Sequence, residues 1–129
     1  MATEVENIVM HYINLFSTLR FIEIEPLVAD DITAHITNAQ SGTDIVNGKE
    51  NFIKRLLNMN IVDVKIKISI SQITSIKPDL VLIMVEINAE RKQKILHNFA
   101  AHLIHVQNNK IKETWMVEAL PAYSDEFWK

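Results

Sequence analysis

From Lys94 to Val106 the side chains alternate into two sets: Lys94, Leu96, Asn98, Ala100, His102, Ile104 and Val106 on one face, and Ile95, His97, Phe99, Ala101, Leu103 and His105 on the other. Both faces are largely apolar, so a strand here needs cover on both sides, unlike a sheet with one wet face. Asn108 and Asn109 make a polar turn, and the chain returns as a second long strand that ends near Leu120. The rest of the chain can be placed by asking what would cover this hairpin.

Thr3 with Glu6 three residues on is a capping box, and Val5, Ile8, Val9, Tyr12, Phe16 and Leu19 follow at helical spacing, which predicts a first helix from about Glu4 to Ser17. A shorter helix over Phe21 to Val28 accommodates Pro26 only as a first turn or a break, and Asp30 with Asp31 is expected to end it. Ile32 to Ala39 alternates as a half-buried strand, and a loop is expected through Ser41, Gly42 and Asp44. Asn47-Gly48 signals a turn, after which Phe52, Ile53, Leu56 and Leu57 mark the apolar stripe of a third helix from about Lys49 to Met59.

Val62, Val64, Ile66, Ile68 and Ile70 alternate against Asp63, Lys65, Lys67, Ser69 and Ser71, the pattern of a strand with one solvated face. Lys77-Pro78-Asp79 turns the chain into a mostly apolar strand, Leu80 to Glu90, and Arg91-Lys92 reverses it again. Four consecutive strands result. With two glycines in the whole chain, such a meander must bend through bulges or asparagine turns.

The order of elements predicts an α+β fold: a curved antiparallel sheet wrapped on about three helices from the N-terminal half, forming a cone with an internal pocket. At 129 residues and 48% hydrophobic content the chain is expected to be one domain, residues 1–129, with enough material for a core. Its charge of -3 comes from interspersed acids and bases, which offers no basic face to a nucleic acid. There is no cysteine, which excludes disulfides, thiolate metal sites and cysteine nucleophiles. Glu4 and Glu6 stand where a signal peptide would want basic residues, and no stretch suits a membrane span, so a cytoplasmic protein is expected.

The segments PLVADDITAHI, NGKENFIKRLL and HLIHVQNNKIKETWMVE resemble the nuclear transport factor 2-like superfamily, and within it the ketosteroid isomerase-like and SnoaL-like polyketide cyclase-like branch. The resemblance covers nearly the whole chain and implies a cystatin-like α+β barrel. Ketosteroid isomerases place a tyrosine on the first helix, a base at the end of the first strand and a protonated aspartate on the penultimate strand. The tyrosine position falls on Tyr12, the base position on Ile36, and the aspartate position on His102 if the Asn108-Asn109 turn is one residue shorter than the family's, or on Ala101 if it is not. His102 is preferred, because it keeps Ile104 and Val106 on the core face. Cyclase-like relatives pair a histidine on the penultimate strand with an acid after a Glu-x-Trp. His102 and Trp115 fit that pattern, Ala119 stands at the acid's spacing, Glu118 comes one step early, and Glu113 is the rival acid.

Tyr12 and His102 are therefore the candidate acid-base pair, a phenol and an imidazole meeting in an apolar hollow. Ile36, Phe52, Leu56, Glu113 and Trp115 are the candidate substrate-binding residues. No cofactor motif is present, and a metal site is not expected: His102 and His105 point to opposite strand faces, while His97 and His105 lie eight residues apart. The expected ligand is a small apolar or flat molecule. The expected partner is a second copy of the chain, covering Phe99, Ala101 and Leu103 on the outer sheet face. The aromatic tail PAYSDEFWK either closes the pocket or crosses to that partner.

Overall fold

The computed structural model describes residues 2–59, 61 and 63–129. The capping box opens helix α1, Glu4–Ser17: the Thr3 hydroxyl accepts from the Glu6 amide, and the Glu6 carboxylate accepts from the Thr3 amide at 2.8 Å. Helix α1 turns Val9, Tyr12, Ile13 and Leu15 into the core. A 3-10 segment, Phe21–Leu27, contains Pro26. Strand β1, Val28–Thr37, follows without a break, so Asp30 and Asp31 belong to a strand and do not terminate the helix. Their side chains are free to reach solvent and lysine partners there, Asp30 to Lys49 and Asp31 to Lys112.

The expected loop holds a further strand, β2, Thr43–Asn47, paired antiparallel with β1. Alternation in so short an edge strand, with every second residue exposed, leaves too weak a hydrophobic signal to read. Helix α2, Lys49–Leu57, buries Phe52, Ile53 and Leu56, each contributing about 1.5–3 kcal/mol by removal from water. Strands β3 (Lys65–Lys77), β4 (Leu80–Arg91), β5 (Lys94–Gln107) and β6 (Lys110–Glu118) then form the meander. The expected start of β3 at Val62 lies outside the described residues.

The six strands are ordered β2-β1-β6-β5-β4-β3. All pairs are antiparallel except β1 with β6, which run parallel, so the sheet is mixed rather than wholly antiparallel. A parallel pair arises because one helix, α2, and four strands, β2 to β5, intervene between β1 and β6, enough chain to return in the same direction. Two-residue turns at Lys92-Gln93 and Asn108-Asn109 have positive φ throughout, the geometry that matches strand twist. Bulges interrupt β3 twice and the β5-β6 pair once. They supply the curvature that glycines do not.

The inner face of the sheet carries Val81, Ile83 and Val85 of β4 and Ala100, Ile104 and Val106 of β5, packed on α1 and α2. On the outer face a cross-strand row runs Ile45, His35, Trp115, Leu103, Leu82. Phe99 and Val117 beside it are about half exposed, at 49% and 48%. Three histidines on this face each meet a carboxylate: His35 with Glu113 at 2.7 Å, His97 with Glu86 at 2.6 Å and His105 with Asp79 at 3.2 Å.

The aromatic tail is a helix, α3, Pro121–Trp128, seated on the chain's own sheet. Its C-terminal end is held by Arg91, buried in β4, whose guanidinium donates to the Phe127 carbonyl at 2.9 Å and the Lys129 carbonyl at 2.7 Å. A cation at the last carbonyls of a helix is favoured by both hydrogen bonding and the helix dipole. The same guanidinium lies over the Phe127 and Trp128 rings. No described helix is long and apolar enough to cross a membrane.

Candidate functional site

A cavity of about 480 Å³ opens between the inner sheet face, α1, α2 and α3. Phe16, Ile36, Leu56, Ile68, Leu96 and Met116 give it apolar walls, and Trp128 of α3 closes part of its rim. His102, Glu118, Ser124 and Asp125 break the apolar lining, as does a polar cluster of Asn38, Asp44 and Arg55 at the mouth.

His102 sits on β5, facing inward as the preferred alignment expects, and is buried. Its Nδ1 is enclosed and finds no hydrogen-bond partner among the described residues. Burial lowers its pKa to about 4, so the ring is neutral at pH 7. Phe16 meets the imidazole edge-on at 5.0 Å.

Tyr12 does not meet His102. It is fully buried in the core, its hydroxyl has no hydrogen-bond partner among the described residues, and its ring contact is with Phe16, at 6.1 Å, which in turn packs on His102. One turn of helix separates Tyr12 from Phe16, and it is Phe16 that reaches the cavity. Burial pushes the Tyr12 pKa upward, which keeps the phenol neutral.

Glu118 faces the cavity and Glu113 does not. His102 pairs with Met116, and Ala100 with Glu118, so Thr114, Met116 and Glu118 share the inner face. Glu113 and Trp115 project from the outer face, where Trp115 stacks flat on His35 with ring centres 5.0 Å apart. Neither Glu113 nor Trp115, expected to bind substrate, lines this cavity beside His102. Of the other candidates, Ile36 and Leu56 line the cavity, while Phe52 is buried behind it in the core.

Desolvation raises the Glu118 pKa, a tendency that the Ser124 hydroxyl of α3 opposes by hydrogen bonding. The amide of Asn98, fully buried on the inner face of β5, donates to Glu118 Oε2 at 3.0 Å. Asn98 escaped the sequence argument, although a polar side chain in register with His102 on an apolar face was the available signal. At the mouth, Asp44 accepts from the Asn38 amide and from Arg55, both at 3.0 Å, and these bonds lower its pKa, Asn38 first. Among the described residues no three metal-ligating side chains converge.

A buried neutral imidazole and a carboxyl biased towards its acid form thus lie diagonally across two strands, on one face of one apolar cavity. Such a pair can take a proton at one point of a ligand and give one at another.

No family model matches the sequence, and no curated protein does. Solved structures do. A protein of unknown function with a cystatin-like fold from Xanthomonas campestris superposes with a TM-score of 0.77 at 21% identity, over 96% of this chain and 97% of the other. An LEH-like epoxide hydrolase of M. tuberculosis gives 0.73 at 14% identity, over 96% and 89%. An NTF2-like protein of unknown function from Cytophaga hutchinsonii gives 0.72 at 15% identity, over 88% and 98%.

Proposed function

We propose that this chain, which carries the nuclear transport factor 2-like fold, binds a small, mostly apolar molecule in the cavity and catalyses cofactor-free proton transfer on it, of the isomerase, cyclase or dehydratase type. The observation that carries this reading is His102, a buried neutral imidazole that lines an apolar cavity on the same face as Glu118. His102 accepts a proton from carbon or hydroxyl of the ligand, and Glu118 gives its proton to an oxygen of the same molecule. The proton count is unchanged, and the imidazolium and carboxylate so formed attract each other more strongly in an apolar site than in water. This replaces Tyr12 by Glu118 as the partner of His102. Tyr12 then acts only by packing beneath Phe16. The likeness to ketosteroid isomerase-like and SnoaL-like proteins, and to the neighbour named an epoxide hydrolase, supports a cavity that works on a small molecule.

The partner in this reading is a second copy of the chain, joined through the outer face around Trp115, Leu103 and Phe99. Ile45, Phe99 and Val117 on that face are about half exposed or more, the kind of apolar cluster that a second copy would cover.

A second reading, a non-catalytic ligand-binding or dimeric interaction module, is favoured by Ile36, an aliphatic side chain where the resemblance places a base. A melting-temperature screen against small neutral carbonyl and hydroxyl compounds separates these readings, because a ligand of the native state alone must stabilise it. For any ligand found to be turned over, His102→Ala and Glu118→Gln should each abolish turnover. Binding without turnover by the unmodified protein selects the second reading, and turnover that survives both changes removes His102 and Glu118 from the mechanism.

A further inference from the structure

We propose that Asn98 is the positioning residue of the cavity's carboxyl group, fixing which oxygen of Glu118 meets the amide and coupling that orientation to the seating of α3. The inference takes Glu118 as the acid named above and adds how it is held.

Asn98 is fully buried and uses its whole amide. Its Oδ1 accepts from the Phe99 amide at 2.9 Å and the Leu120 amide at 3.1 Å. Its Nδ2 donates to the Leu120 carbonyl at 3.2 Å and to Glu118 Oε2 at 3.0 Å. Only the oxygen of a carboxamide can receive two backbone N–H groups, so the amide cannot be flipped, and its NH2 must face Glu118. The carbonyl oxygen of a carboxylic acid is a stronger acceptor than its hydroxyl oxygen, so the N–H at Oε2 favours that oxygen as the carbonyl. When Glu118 is protonated, its proton is thereby favoured on Oε1, the oxygen that Asn98 leaves free.

Leu120 is the residue that enters α3, and Asn98 exchanges both an N–H and a C=O contact with it, as a strand neighbour would. The Ala119 amide bonds the Phe99 carbonyl at 2.8 Å beside it. One side chain thus pins the end of the sheet, the start of α3 and the carboxyl between them. Ser124, one turn into α3, bonds the same carboxyl. Glu118 is held from the sheet and from the helix, and a shift of α3 would release one hold and loosen the other.

A residue that merely stapled the β6-α3 junction would affect stability but not the ionisation of Glu118. The test is the NMR titration of the full chain without ligand. The side-chain amide protons of Asn98 should shift with the same midpoint as the Glu118 carboxyl carbon. Asn98→Asp, which keeps an oxygen for the two backbone amides but sets a second carboxylate against Glu118, should raise that midpoint by about one pH unit or more. Amide signals that stay flat through the Glu118 titration overturn the proposal, as does an unchanged Glu118 midpoint in a folded Asn98→Asp protein. If Asn98→Asp does not fold, the amide titration of the unmodified chain decides. No ligand enters these measurements, so failure to find turnover sinks the acid-base reading and leaves this result standing, and the reverse holds equally.

Discussion

His102 stands directly across from Met116, not from Trp115, because Lys112 is an extra residue in β6 between the Ile111 partner of Val106 and the Glu113 partner of His105. Counted from the Gln107-Lys110 pair without that bulge, His102 would face Trp115. One inserted residue turns every later side chain of β6 over. It sends Trp115 and Glu113 to the outer face and brings Met116 and Glu118 to the cavity.

His102 is retained at a cost to stability if it is there for chemistry. A buried nitrogen without a partner costs about 1–3 kcal/mol, so His102→Leu should stabilise the fold by roughly 1 kcal/mol after losses in packing. Urea denaturation would measure the gain, and the same protein should bind ligand but not turn it over. A fall in stability beyond about 2 kcal/mol would mean that the imidazole is satisfied in solution.

The acid limb of the stability curve should report His102 and Glu118 with opposite signs. His102 ionises near 6.5 when unfolded and at about 4 when folded. The unfolded chain therefore binds the extra proton in that window, and stability present above pH 6.5 is lost as pH falls towards 4, by up to about 1.4 kcal/mol per unit. Glu118 behaves the other way: its pKa is raised above 4.5, so its contribution is full below that value and is lost as pH rises through the folded pKa. Denaturant midpoints taken across this range should show a steeper acid limb for Glu118→Gln and a flattened or reversed one for His102→Leu. Superimposable profiles for the three proteins would contradict the burial of both groups.

Tyr12→Phe removes a buried hydroxyl that bonds nothing among the described residues. Its stability should be unchanged or up to about 1 kcal/mol higher, and turnover should persist. Calorimetry and a rate assay check the two halves, and a large loss of rate alone would return Tyr12 to the mechanism.

Phe99→Lys places a charge on the outer face at a side chain that is half exposed in the isolated chain. Monomer stability should move by no more than about 0.5 kcal/mol, while sedimentation should show the proposed dimer of the unmodified chain and a monomer for the variant. A wild-type chain that sediments as a monomer at micromolar concentration would remove the proposed partner.

Much of the fold is readable in the chain because it rests on local rules. Thr3 and Glu6 cap α1 wherever the rest of the molecule lies, and the alternation from Lys94 to Val106 assigns His102 to the face that holds Ile104 and Val106. The Asn108-Asn109 turn follows from side chains that tolerate positive φ. Strand β2 stayed hidden because five half-exposed residues carry too little pattern, and the start of β1 because Asp30 and Asp31 owe their place to lysine partners distant in sequence.

By itself the sequence determined α1, the 3-10 segment and α2, though not the helix α3; it also determined the long strands and the inward direction of His102, since each depends on spacing within one element. Tertiary structure alone decided its company. A bulge at Lys112 is an event between two strands, the choice of Phe16 over Tyr12 as the α1 side chain that reaches the cavity depends on how α1 sits on the sheet, and Asn98 meets Glu118 only after β5, β6 and α3 converge. Periodicity within a strand says which way a side chain points, and the register between strands says what it finds there.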